Sequence, residues 1–150
     1  VISLGVKTLD HYPASYGLPA FAHDGDSGFD LRAAITAPIT VPPGRVVEIP
    51  TGLAFDIPRG YEIQIRGRSG LGKRGVSIAQ GLGTVDSTYK GEVIVLLTGS
   101  VYMTPVEINP GDRIAQAVLA PIVSSIHFAP VDTLSASSRG EQGFGSTGAQ

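Results

Sequence analysis

The chain has 150 residues, 42% hydrophobic content and a formal net charge of −2, with no lysine or arginine run. That is one domain with enough apolar surface for a real core, and nothing polybasic that would suit a nucleic-acid or membrane surface. There is no cysteine, so disulfides and thiolate metal sites are excluded, and His11, His23 and His127 are too scattered for a zinc cluster.

Charge interrupts the apolar stretch at the start, Val1 to Asp10, before a signal-peptide core or membrane span could form, which leads to the expectation of a soluble cytoplasmic protein. The 20 glycines and 11 prolines fall between short apolar runs rather than in one linker. Many short strands follow from that spacing. Strands are expected at Val46 to Ile49, Gly52 to Ile57, Glu92 to Leu97 and Ile114 to Ile122, each bounded by a turn signal such as Pro42-Pro43-Gly44 or Asn109-Pro110-Gly111. Tyr61, Ile63 and Ile65 alternate with Glu62, Gln64 and Arg66, the period-2 pattern of a strand with one buried face. The one good place for a helical turn is Ser69 to Arg74, with Ser69 as its N-cap and Gly75 as its stop. These elements predict an all-β sandwich or barrel, with residues after about Leu134 as a mobile arm.

Five segments place polar groups where apolar ones would be easier to bury. In Asp26 to Ala34, Asp30 lies two residues after Gly28 and enters a strand-like run; a carboxylate there can hold a water on a hydrated magnesium ion, or simply mark a strand-entry turn. In Arg66 to Leu71, backbone amides at a helix start beside Arg68 and Ser69 make an anion site, or an ordinary cap. Gly81 to Glu92 reads as two strands joined by a polar turn, a hairpin in which Asp86 and Tyr89 reach one pocket and Asp86 can orient and deprotonate a water; it reads equally as a plain turn. In Pro110 to Leu119, Gln116 interrupts an apolar run, while Asp112 and Arg113 suit a turn and an ion pair. The last segment, Arg139 to Gly148, combines glycines with Arg139, Phe144, Ser146 and Thr147, a set able to clamp phosphates and stack on a base, or a disordered terminus. Together the five supply metal contact, anion cradle, water activator, phosphate clamp and stacking lid.

These motifs resemble, in order and spacing over nearly the whole chain, those of the homotrimeric dUTPases: Ser27-Gly-Phe-Asp-Leu31, Gly67-Arg-Ser-Gly-Leu71, Gly83-Thr-Val-Asp-Ser-Thr-Tyr-Lys-Gly91, Gly111-Asp-Arg-Ile-Ala-Gln116 and Arg139 to Gly148. The departures are small: Ser27 for a frequent alanine, Phe29 for tyrosine or valine, Gly67 for proline, and Thr84-Val85 for a more aliphatic pair. The resemblance implies a jelly-roll β-barrel over residues 1–134 that trimerises, with an arm of residues 135–150 from one subunit closing a site on its neighbours. It implies hydrolysis of dUTP to dUMP and pyrophosphate by water attack on the α-phosphorus, with Mg²⁺ as cofactor, limiting uracil incorporation into DNA and supplying dUMP for thymidylate synthesis. Carried onto this sequence, Asp86 would hold the attacking water and Gln116 would assist. Asp30 would contact the metal through water. Substrate would be held by Arg68, Ser69, Gly70, Gly83, Val85, Tyr89, Lys90 and Gly91, and by Arg139, Phe144, Gly145, Ser146 and Thr147 of the arm. Two other readings share these residues. A dCTP deaminase would need a separate acid/base for C4 of cytosine, and a nucleotide-responsive binding protein would bind without turnover.

Overall fold

The computed structural model describes residues 1–138 and 140–141. Its strands, in chain order, are β1 (Gly5–Thr8), β2 (Phe29–Arg32), β3 (Ile39–Val41), β4 (Val46–Pro50), β5 (Leu53–Asp56), β6 (Tyr61–Arg66), β7 (Val76–Ile78), β8 (Gly83–Asp86), β9 (Ile94–Gly99), β10 (Val106–Ile108) and β11 (Arg113–Pro121). A single helical turn, α1 (Ser69–Gly72), separates β6 from β7. The all-β expectation is borne out. The ladders form four antiparallel sheets, β2-β11-β6-β8, β4-β9-β7, β1-β5 and β10-β3. Among the described residues they do not close into a barrel.

Alternation decides which face each strand buries. In β6, Ile63 and Ile65 are buried while Glu62, Gln64 and Arg66 take the other face. Leu31, Ile63 and Ile114 of the large sheet join Ile49, Val95 and Leu97 of the three-stranded sheet in one core, closed by Leu53 and Phe55 of β5. Each such side chain contributes roughly 1.5–3 kcal/mol on burial. The N-terminal segment is pinned to this body by the pairing of β1 with β5, by Leu9 N–H on the Gly52 carbonyl at 2.8 Å and by Tyr12, which packs against the core while its hydroxyl donates to the Gly17 carbonyl at 2.6 Å within the segment. Burial pushes the Tyr12 phenol up, against the opposing pull of the nearby Arg32 guanidinium.

Two local expectations are corrected. Residues 81–92 do not form a hairpin: β8 pairs with β6, whereas β9 pairs with β4 and β7 in the other sheet. After the turn closed by Tyr89 N–H on the Asp86 carbonyl, Val93 N–H bonds the Leu53 carbonyl and draws the chain across to the second sheet. Ser69 is not the N-cap either. Arg68 holds the extended cap conformation, with no side-chain capping bond, and Ser69 is already the first residue of α1. Gly75 does end this segment, at φ +83°, a left-handed conformation open to glycine without strain.

Among the described residues regular structure ends at Pro121, with Ile122 N–H bonded to the Gly60 carbonyl. Beyond it Val123, Ile126, Phe128, Val131 and Leu134 are exposed. This is a run of apolar side chains that the described residues do not cover.

Candidate active site

The candidate site residues fall into two groups on the four-stranded sheet. The first surrounds β8, an edge strand whose outer backbone groups have no sheet partner among the described residues. Beside that edge, between the two main sheets, lies a cavity of about 350 Å³ lined by residues that include Ile65, Ile78, Gln80, Gly83, Val85 and Tyr89. Apolar walls with a few polar groups and an unpaired strand edge suit a small planar ring that reads main-chain amides and carbonyls. Tyr89 stands 48% exposed at its rim, its hydroxyl donating to the Glu92 carbonyl at 2.8 Å. The phenol is therefore already committed, and what it offers a ligand is its ring. Asp86 ends β8 with its side chain exposed, one residue beyond the lining residue Val85.

Asp86 pairs across the sheet with Glu62, which puts two carboxylates on one face. Glu62 Oε1 accepts from Gln64 Nε2 at 2.8 Å, and Gln64 Oε1 accepts from Arg66 Nη2 at 2.6 Å. A polar row thus runs down β6 from the Asp86 end toward the second group.

That second group is built where β2, β11 and the end of β6 meet. Gln116 is in register with both Asp30 and Arg66, so the three side chains share one face. Asp30 Oδ1 lies 2.9 Å from Arg68 Nε and Oδ2 lies 3.5 Å from Arg113 Nη1, while Arg68 Nη1 donates to the Arg113 carbonyl at 3.2 Å. The carboxylate is partly buried at 23% exposure and holds two guanidinium groups side by side. Paired arginines beside the start of α1, with Ser69 and Gly70 on the first turn, gather positive charge and hydrogen-bond donors of the kind that suits a polyanion. Strands β2 and β11 can approach this closely because Gly28 has no side chain: a Cβ there would lie 2.6 Å from the Ala117 carbonyl oxygen.

The two groups do not meet within one chain. Glu62, opposite Asp86, is four residues along β6 from Arg66, opposite Gln116, which is about 13 Å along the strand. Adding two strand spacings puts Asp86 and Gln116 roughly 16 Å apart, far outside hydrogen-bond reach of a common water.

The remaining sequence-predicted residues fall as follows. Gly83 and Val85 line the cavity, whereas Gly91 lies under Tyr89. Lys90 is turned to Asp56 and to the Ser87 carbonyl, 2.8 Å away, outside the cavity lining. Arg139, Phe144, Gly145, Ser146 and Thr147 lie outside the described residues. Sequence reasoning missed Gln80, a polar residue after an apolar strand whose position could have marked it. It also missed Glu92 as a cavity residue and gave Arg113 only a structural ion pair.

A sequence model of the dUTPase family matches residues 15–148. The deoxyuridine 5'-triphosphate nucleotidohydrolase of Chlamydia caviae is 50% identical over 135 residues, spanning 87% of this chain and 90% of that one. The enzyme of the same name from Maricaulis maris is 43% identical over 150 residues, 98% of this chain and 97% of that one. Among solved structures, a mutant of the Staphylococcus bacteriophage 80alpha dUTPase with dUpNHpp superimposes with a TM-score of 0.83 at 25% identity, covering 99% of this chain and all of that one. A dUTPase mutant from phage phi11 of S. aureus, described for its coordination of a structural Mg(II) ion, has a TM-score of 0.73 at 22% identity over 88% of this chain and 98% of that one.

Proposed function

Since the chain belongs to the dUTPase family, we propose that it hydrolyses dUTP to dUMP and pyrophosphate, thereby limiting uracil incorporation into DNA and supplying dUMP. The observation that carries this reading is the cavity at the open edge of β8 with Tyr89 at its rim and Asp86 beside it. Uracil enters the cavity and meets main-chain groups of the strand edge. The Tyr89 ring packs on the sugar and leaves no room for a 2′-hydroxyl. Asp86 orients a water and takes its proton as the water oxygen bonds to the α-phosphorus. The bond from that phosphorus to the bridging oxygen breaks, and its electron pair leaves with pyrophosphate. Such a base contributes roughly 10²–10⁴-fold.

The triphosphate carries about four negative charges, and holding it in line is most of the catalysis. Arg68, Ser69, Gly70 and Gln116 hold phosphates, with Arg113 beside them. Their distance from Asp86 in one chain supports an assembly in which a second copy brings this cradle to the first copy's Asp86. The exposed apolar run from Val123 to Leu134 supports the same reading, since another subunit would cover it. A jelly-roll trimer, its barrel formed by residues 1–134 and its sites closed by arms of residues 135–150 through Arg139, Phe144, Gly145, Ser146 and Thr147, satisfies both.

Magnesium fits as part of the substrate. Among the described residues no group of three His, Asp or Glu side chains gathers for a metal, and Asp30 is a single carboxylate shared by two arginines. An ion that keeps most of its waters and takes its other ligands from phosphates needs no more, so Asp30 would touch it through water. When bound it neutralises phosphate charge. No helix among the described residues is long and apolar enough to cross a membrane; the proposed cytoplasmic location rests on where free nucleotides are found.

The test is pyrophosphate release from dUTP and from dCTP with Mg²⁺, with nucleotide products identified. We expect dUMP from dUTP alone. Uracil products from dCTP would move the chain to deamination, and tight dUTP binding without turnover would overturn hydrolysis in favour of a nucleotide-responsive binding protein.

A further inference from the structure

The cavity wall that carries Tyr89 belongs to no strand. Residues 87–93 cross from one sheet to the other, so ladder bonds do not hold the ring in place. Its hydroxyl is fixed instead by the Glu92 main-chain carbonyl, 2.8 Å away. Gly91 leaves the space for this, because a Cβ there would lie 2.6 Å from the Tyr89 hydroxyl oxygen. Whatever holds Glu92 therefore holds Tyr89.

Glu92 is held by its own side chain. Its Oε1 accepts from the Gly52 backbone N–H at 2.7 Å and faces His11 Nε2 at 2.8 Å. A carboxylate oxygen only accepts, so Nε2 carries the proton in this contact. Both bonds involve a charged acceptor and are of the stronger kind. The carboxylate is 21% exposed and His11 42%, so the pair is sheltered but reachable. Next to it, Val93 is tied to Leu53 through its N–H and to the Thr51 hydroxyl through its carbonyl, at 2.8 and 2.7 Å. The Val93 N–H belongs to the same peptide unit as the Glu92 carbonyl, so its bond to Leu53 holds that carbonyl from one side while the Glu92 carboxylate, on the Gly52 N–H, holds the residue from the other.

We propose that Glu92, partnered by His11, is a positioning residue for Tyr89 and so sets the discrimination between deoxyribose and ribose triphosphates. This rests on the assignment of the cavity to the uracil nucleotide. Without the carboxylate, the Glu92 peptide keeps its Val93–Leu53 bond but loses its second tether at Gly52, and the Tyr89 ring gains room to retreat from the sugar. Binding of the deoxy substrate then weakens while the barrier to a 2′-hydroxyl falls.

The experiment measures kcat and KM for dUTP and for UTP in wild type, Glu92→Ala, Glu92→Gln, His11→Ala and Tyr89→Ala. Folding is checked by circular dichroism and assembly by light scattering. Glu92→Ala should lower the dUTP-over-UTP ratio of kcat/KM by about tenfold, with KM for dUTP moving more than kcat. Glu92→Gln keeps a carbonyl oxygen for the Gly52 N–H and should restore most of the ratio; His11→Ala should give a smaller loss than Glu92→Ala. If Glu92→Ala does not fold, Glu92→Asp, one methylene too short for Gly52, is judged by the same criterion. An unchanged ratio in the folded variant, or an equal loss on both substrates, overturns the proposal. Tyr89→Ala separates the two levels: a collapsed ratio there with an intact one in Glu92→Ala removes only the role of Glu92. An intact ratio in Tyr89→Ala removes the sugar-packing role of Tyr89 as well.

Discussion

Thr51 is the one polar residue among the fully buried side chains described, at 0% exposure, and its replacement by valine isolates a hydrogen bond from packing. Its hydroxyl donates to the Val93 carbonyl at 2.7 Å and receives a longer contact from Leu53 N–H at 3.3 Å. Valine has nearly the same shape, so Thr51→Val opens no cavity. It leaves the Val93 carbonyl buried with its partner gone, at a cost of about 1–3 kcal/mol. For a chain of this size each kcal/mol lowers Tm by about 2–4 °C, so the expected fall is about 2–12 °C. Thermal unfolding followed by circular dichroism reads it, at one fixed protein concentration because an assembly stabilises its subunits by mass action. Val93 also lines the cavity, so a modest rise in KM for dUTP should accompany the loss. A Tm equal to or above that of the parent would refute the view that this hydroxyl anchors the crossover.

Asp86→Asn should preserve dUTP binding, measured by calorimetry, while turnover falls by roughly 10²–10⁴-fold, and Tm should hold because the side chain is exposed. Gly28→Ala should force β2 from β11 at a cost of about 1–3 kcal/mol and raise KM for dUTP by displacing Asp30 from Gln116, read by thermal unfolding and steady-state kinetics. Deleting residues 135–150 should leave a folded assembly with little activity; unfolding of the truncated chain would make the segment structural.

The residues of β6 show what a sequence exposes directly. Ile63 and Ile65 alternate with Gln64 and Arg66, and a period of two has one structural solution at a half-buried surface. The motif around Asp86 and Tyr89 was legible as a polar turn after a strand, but its pairing was not. A turn between two strand-like runs suggests a hairpin because local pairing closes the smallest loop, yet β8 pairs with β6 and β9 with β4 and β7. The core decides that choice, since Val85 on β8 and Val95 on β9 bury in one cluster from two different sheets.

The sequence by itself determined the all-β class, the strand faces and the identity of the chemical groups, because periodicity, turn residues and side-chain types are local properties. Only the tertiary structure decided which groups meet. Asp30 collects Arg68 and Arg113 from distant parts of the chain, and His11 reaches Glu92 across 81 residues. Lys90 turns to Asp56, and Asp86 lies at the far end of the sheet from Gln116. Such contacts depend on strand order and register, which are settled by burying the whole core at once, and no short stretch of sequence carries that information.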